Sequence, residues 1–153
     1  MKIWSELNQA APDIAVFGRE RLDGKLAYLA TIRSSVKPRI HPVTAIVSDR
    51  HCFIFAEPES TKVRDFSSNP RFSLHCAMSD SSGSSGEFQL MGQVVQIEDD
   101  SLRREAEANC TFRPSSRSIL FELEIEEAIA TSYRGGRPDR RRWRSNPAQI
   151  EQC

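Results

Sequence analysis

The sequence has no CxxC pair, no HExxH or HxH pair, no Walker A loop, no GxGxxG turn and no GxSxG elbow. These absences exclude a zinc ribbon, a dithiol redox site, a zincin, a P-loop nucleotidase, a dinucleotide fingerprint and an α/β-hydrolase nucleophile. The four cysteines stand apart at 52, 76, 110 and 153. They read as free thiols, because a disulfide framework belongs to smaller secreted chains. The histidines, His41, His51 and His75, are equally scattered, and no metal site is expected. Net charge is missing as well. Twenty-one basic residues balance 21 acidic ones, which removes any global pull toward nucleic acid or an anionic membrane. Apolar runs such as residues 26–30 fall far short of the roughly 20 residues that a membrane span needs. The opening Met1-Lys2-Ile3-Trp4-Ser5-Glu6 soon turns polar and has no secretory apolar segment, so a cytoplasmic location is expected.

What is present suits one globular domain over residues 1–153, with 39% hydrophobic and 27% charged residues. Trp4, Leu7 and Ala11 recur at helical spacing, and Pro12 can open a second helix with Ile14 and Phe17 inward. From Lys25 the period shortens to that of strands. Residues 25–33 (KLAYLATIR) are apolar on both faces, as in a strand buried on both sides. Residues 39–48 and 52–56 form two more strands, joined by a tight Asp49-Arg50 connection. A short helix follows Ser60 and Thr61, and residues 71–78 alternate as a fourth strand. Residues 79–86 (SDSSGSSG) read as a mobile loop. Residues 87–97 form a strand whose alternation slips near Gly92, the mark of a bulge. Asp99 and Asp100 can cap a helix running to about Cys110, residues 118–125 form a half-exposed strand, and a last strand surrounds Trp143. The fold class that follows is mainly β with short helices: a six- or seven-stranded antiparallel split β-barrel.

Two stretches could carry chemistry. In Phe55-Ala56-Glu57-Pro58-Glu59-Ser60-Thr61-Lys62 a strand ends, a hydroxyl pair caps a helix, and a lysine sits in the first turn. Lysine is disfavoured there because the helix start already carries partial positive charge, unless an anion shares the site. Free N–H groups, hydroxyls and an ammonium would make a phosphate cradle. An ordinary cap followed by a solvated lysine gives the same spacing. The second stretch is Lys37-Pro38-Arg39-Ile40-His41-Pro42-Val43, where a period of two puts Arg39, His41 and Val43 on one face. Pro42 cannot donate to a ladder, so it belongs at an edge or bulge where a ligand's polar groups can take over.

The order LAYLATIR, turn, PRIHPVTAIV, DRHCFIFAEPESTKVRDFSSNPRFSLHC and GEFQLMGQVVQI resembles the pyridoxamine 5′-phosphate oxidase-like family of FMN-binding split barrels, over about residues 10–126. The resemblance implies that Lys62 grips the flavin phosphate with Ser60 and Thr61 beside it. It implies that Arg39, Ile40, His41, Pro42, Val43 and Thr44 meet the isoalloxazine ring and ribityl chain, and that Phe55 and Ala56 line the flavin. It also implies a homodimer with the flavin at the subunit interface. Glu87 falls where the family often sets a polar group near the ring, and is equally a solvated strand-end carboxylate. Three family features are absent: Thr61 replaces an arginine, residues 44–47 carry no substrate-phosphate lysine, and Arg140-Arg141-Arg142-Trp143 stands in place of Arg-Leu-His. The expected activity is therefore FMN-dependent oxidoreduction of an unidentified small molecule rather than of vitamin B6. No side chain stands out as a catalytic acid or base. The alternatives are a deazaflavin-coenzyme-dependent reductase, or a non-catalytic flavin- or haem-binding protein with His41 or His75 as axial ligand.

The Arg-rich segment 134–153 could meet RNA, but the preceding Glu122, Glu124, Glu126 and Glu127 make intramolecular or cross-dimer pairing the favoured reading. Within it, Arg137 and Trp143 are the substrate-side candidates.

Overall fold

The fold is described from a computed structural model of the chain, over residues 1–146. Two helices open it, α1 (Trp4–Ala10) and α2 (Pro12–Leu22). They bury Trp4, Leu7, Ile14 and Leu22, each worth about 1.5–3 kcal/mol in apolar transfer. An ideal Cβ on Gly18 would stand 2.3 Å from the Phe88 ring, so α2 reaches the barrel only because position 18 has no side chain.

The barrel strands are β1 (Leu26–Ile32), β2 (Pro38–Thr44), β3 (Ile46–Val47), β4 (Cys52–Ala56), β5 (Arg71–Cys76), β6 (Glu87–Ile97), β7 (Ile119–Arg134) and β8 (Arg137–Arg144). The helices α3 (Thr61–Ser68) and α4 (Asp100–Ala108) interrupt them. All pairings are antiparallel, in the order β2-β1-β5-β6-β7-β4-β3, with β8 added to β7. The sheet is an open, split barrel of eight strands, where six or seven were expected. Its two end strands, β2 and β3, are separated in the chain only by Ala45, so the expected single strand over 39–48 is one stretch that changes partner from β1 to β4.

β7 holds the barrel together. One edge pairs with β6 along its length, while the other is served in turn by β4, by an isolated bridge from Lys2 to Ile125, and by β8. The slip near Gly92 is real, but the extra residue, Glu126, lies in β7. A Cβ at Gly92 would fall 1.8 Å from the Glu124 carbonyl oxygen.

Two strand expectations need correction. β1 buries only one face, leaving Leu26 (47%) and Tyr28 (43%) exposed. The first half of β7 is buried on both faces rather than half-exposed, because α4 brings Ala106 and Leu102 onto Ile46, Phe53 and Leu120. Glu122, expected on the solvent side, is consequently buried and bonded to His51, which stacks on Phe53. Burial pushes its carboxyl above the usual range, and His51 opposes that shift.

The loop after β5 is organised: Asp80 accepts from the Ser82 N–H, the Ser82 hydroxyl and the Ser84 hydroxyl, and Arg21 clasps the Ser85 carbonyl. No helix among the described residues is long and apolar enough to cross a membrane.

Candidate functional site

α3 begins where β4 ends, after the Glu57–Ser60 turn. Ser60 stands at the N-cap position, yet its hydroxyl donates to the Glu57 carbonyl (2.7 Å) instead of capping the helix. The expected hydroxyl cap is thus absent, and no acidic residue lies in the first turn. The N–H groups that open any helix therefore have no side-chain acceptor here. Both nearby glutamates are drawn toward the segment before β7: Glu57 accepts from the Ser118 hydroxyl (3.1 Å) and Glu59 pairs with Arg117 (3.0 Å).

Lys62 projects from this turn with its side chain partly buried. Among the described residues its ammonium has no hydrogen bond or ion pair. Burial pulls its pKa below the ordinary lysine value, and Glu57 opposes that only in part. Lys62, Leu26, Pro42, Val43, Thr44, Phe55 and Phe112 line a cavity of about 340 Å³. Most of its walls are apolar, and one cation stands at its side.

Beside the cavity lies a buried polar network. Asp65, one turn along α3, is 3% exposed and meets β1 and β2. The Thr31 hydroxyl donates to Asp65 Oδ2 at 2.6 Å. That hydroxyl has a single proton, so its oxygen accepts from His41 Nε2–H at 2.9 Å. Arg39 Nε is 3.1 Å from the same Asp65 oxygen but is not aligned with it, and is left as a buried donor with no hydrogen bond. Burial lowers the His41 pKa, the Lys62 and Arg39 charges push it the same way, and Asp65 resists.

The predicted residues fall into separate groups. Arg39, His41 and Val43 share the inner face of β2, as the period of two requires. Pro42 and Thr44 line the Lys62 cavity, while Ile40 is 69% exposed on the outer face. β2 is an end strand paired only with β1, so Pro42 does lie on an edge. Phe55 lines the cavity and Ala56 is buried behind it. Ser60 and Thr61 sit at the start of α3.

Glu87 belongs to a different, polar cavity of about 250 Å³, with His75, Gln89, Ile129, Thr131, Arg140 and Arg142. There His75 Nδ1 donates to the Cys76 carbonyl at 2.6 Å. Hydrogen bonding to Cys76, with Glu87 nearby, raises the His75 pKa to about 9. Arg137 is exposed at the start of β8 and Trp143 packs against the barrel core, and neither lines the Lys62 cavity within one chain. Other arginines of the segment pair internally: Arg141 with Asp13 (2.8 Å), Arg142 and Arg144 with Glu127 (2.8 and 3.5 Å).

Phe112 is the wall residue that sequence reasoning missed. Its ring stands edge-on to Phe55 at 6.5 Å, and Arg103 holds the segment that follows by donating to the Ser115 and Ser118 carbonyls. No period marks a residue in an irregular connection, so only a solitary aromatic in a polar stretch hinted at it.

Residues 19–152 match the family described as pyridoxamine 5′-phosphate oxidase. The chain belongs to that family. No curated protein sequence matches it. Among solved structures it is similar to a pyridoxamine 5′-phosphate oxidase-related, FMN-binding protein from Nostoc punctiforme, with 14% identity, TM-score 0.64, and 94% of this chain and 92% of that one covered. It is also similar to a haem-binding protein from Mycobacterium smegmatis, with 20% identity and TM-score 0.63 over 78% of this chain. The chain spans about half (53%) of the length of that mycobacterial protein. A third similar structure is an F420 reductase, with 12% identity, TM-score 0.57, and 72% and 94% covered. At these identities the likeness is one of fold. The pyridoxamine 5′-phosphate oxidase family thus presents here a split barrel with an unpartnered lysine at an uncapped helix start.

Proposed function

We propose that this chain is an FMN-binding oxidoreductase acting on a small molecule, with Lys62 and the opening N–H groups of α3 holding the flavin phosphate. The observation that carries the reading is the partly buried, unpaired Lys62 ammonium at the side of a mostly apolar cavity. A dianion would give that ammonium its partner, with Arg39 of β2 free to turn its outer guanidinium nitrogens toward it, and charge-assisted contacts of this kind are the strong ones. Backbone groups on the open edge of β2 and the Leu26, Val43, Phe55 and Phe112 walls would take the ring system and ribityl chain. A bound flavin would supply hydride or electron transfer, leaving the protein to bind, orient and exclude water.

The cavity lies at the lower end of ligand-pocket sizes, so one chain supplies only part of the enclosure. The exposed apolar side chains of Leu26, Tyr28 and Ile40 support a homodimer that completes it. In that arrangement Glu87, Arg137 and Trp143 would serve the flavin or substrate from the second copy. The described cysteines are all free thiols, which suits a cytoplasmic setting.

A deazaflavin coenzyme presents a related ring and phosphate chemistry to the same cavity and is the nearest rival. Haem is less well served: His41 is almost fully buried and is not among the residues that line the Lys62 cavity, and His75 lies in a smaller polar cavity with Glu87, Arg140 and Arg142. One experiment separates the three. The purified protein's visible spectrum and the mass of its released ligand should show FMN bands that NAD(P)H bleaches. A Soret band, or a deazaflavin mass, would replace this reading with the corresponding alternative.

A further inference from the structure

The network behind Lys62 has a feature that phosphate binding alone does not require. His41 is almost fully buried, and its one protein bond fixes the Nε2–H tautomer, because the Thr31 proton is already committed to Asp65. Nδ1 therefore carries the lone pair. The charged groups around this ring are Lys62 and Asp65 on α3 and Arg39 on its own strand. Two cations against one anion, with burial, hold the ring neutral. A doubly negative phosphate at Lys62 and Arg39 reverses that balance.

We propose that His41 is a proton-accepting member of the anion cradle: phosphate arrival places a proton on Nδ1, and the ring becomes a third cation beside Lys62 and Arg39, while Asp65 and Thr31 act as positioning residues that hold its other nitrogen. This rests on the reading that the phosphate binds at Lys62. The step balances simply, since solvent gives one proton to Nδ1 and no other bond is made or broken. By linkage, the same coupling makes the FMN dianion bind more tightly as pH falls through neutrality, by up to about tenfold per pH unit where a full proton is taken up, until the phosphate takes up its own proton near pH 6. Lys62, whose pKa burial also lowers, would take up its proton only toward alkaline pH.

The test is calorimetric titration of FMN into the purified dimer or monomer, in buffers of different ionisation enthalpy, for the native chain and for His41→Gln. Glutamine keeps a donor toward Thr31 but cannot titrate. The native chain should take up a fraction of a proton near neutrality, and H41Q should lose that uptake while keeping the alkaline component. Because H41Q could misfold, the imidazole resonances of the native chain are followed against pH with and without saturating FMN; the His41 midpoint should rise on binding. Equal uptake in both proteins, or an unmoved His41 midpoint in a chain that binds FMN, overturns the role of His41 and leaves the phosphate site standing. Failure of FMN to bind at all overturns both.

Discussion

Replacing Lys62 by methionine isolates the ammonium, because the new side chain keeps much of the apolar stem while removing the charge. A hydrogen bond to a charged group is worth about 1.5–3 kcal/mol net, which corresponds to about a 10- to 100-fold rise in the FMN dissociation constant. The free protein should respond in the opposite sense. Lys62 is partly buried without a partner and its pKa is lowered, so at neutral pH its charge works against folding. K62M should therefore leave the thermal midpoint of the ligand-free protein unchanged or raise it. Fluorescence-quenching titration with FMN gives the first quantity and ligand-free thermal unfolding the second. A dissociation constant within twofold of the native one would remove Lys62 from the phosphate site. Weaker binding accompanied by a lower midpoint would mean that the lysine is structural, and the reasoning from its unpaired state would fail.

Phe112→Ala should weaken FMN binding by about 0.5–1.5 kcal/mol, the scale of an aromatic contact, with little change in unfolding, since the ring is 42% exposed; an unaffected titration would take Phe112 out of the wall. Gly92→Ala should destabilise the fold by about 1–3 kcal/mol or prevent folding, because its Cβ would meet backbone that cannot move aside; native-like chemical denaturation would show that the β6–β7 bulge relaxes freely. Stability in the absence of ligand should fall as pH drops below about 6.5, the ordinary histidine value, since the folded state resists protonating His41 and the unfolded chain does not. That part of the slope should vanish in H41Q, and identical denaturation curves across this window would contradict it.

Much of the barrel was legible because strand periodicity is a local property. The alternation through residues 71–76, the slip at Gly92, the Asp99 cap (accepting from Leu102 N–H at 2.9 Å) and the final strand around Trp143 all follow from short-range pattern. What alternation cannot report is what lies against each face. β1 reads as doubly buried, yet one of its apolar faces is open in a single chain; β7 reads as half-exposed, yet α4 covers its second face. The same limit applied to the site. Position in a helix start marked Lys62, and a period of two placed Arg39 with His41. Asp65 gave no sign of its role, because its partners Thr31, Arg39 and His41 lie far away in sequence and meet it only when α3 lies against β1 and β2. Ser60 shows the converse: a good cap residue by type, it spends its hydroxyl on the turn before the helix.

The central claim is that a nucleotide's phosphate end sits at the opening of α3. A crystal structure of the FMN complex tests it most directly. The account predicts phosphate oxygens within hydrogen-bond distance of Lys62 Nζ and of the first-turn N–H groups, with Arg39 turned toward them. FMN seated elsewhere on the barrel, with Lys62 still unpaired, would contradict it.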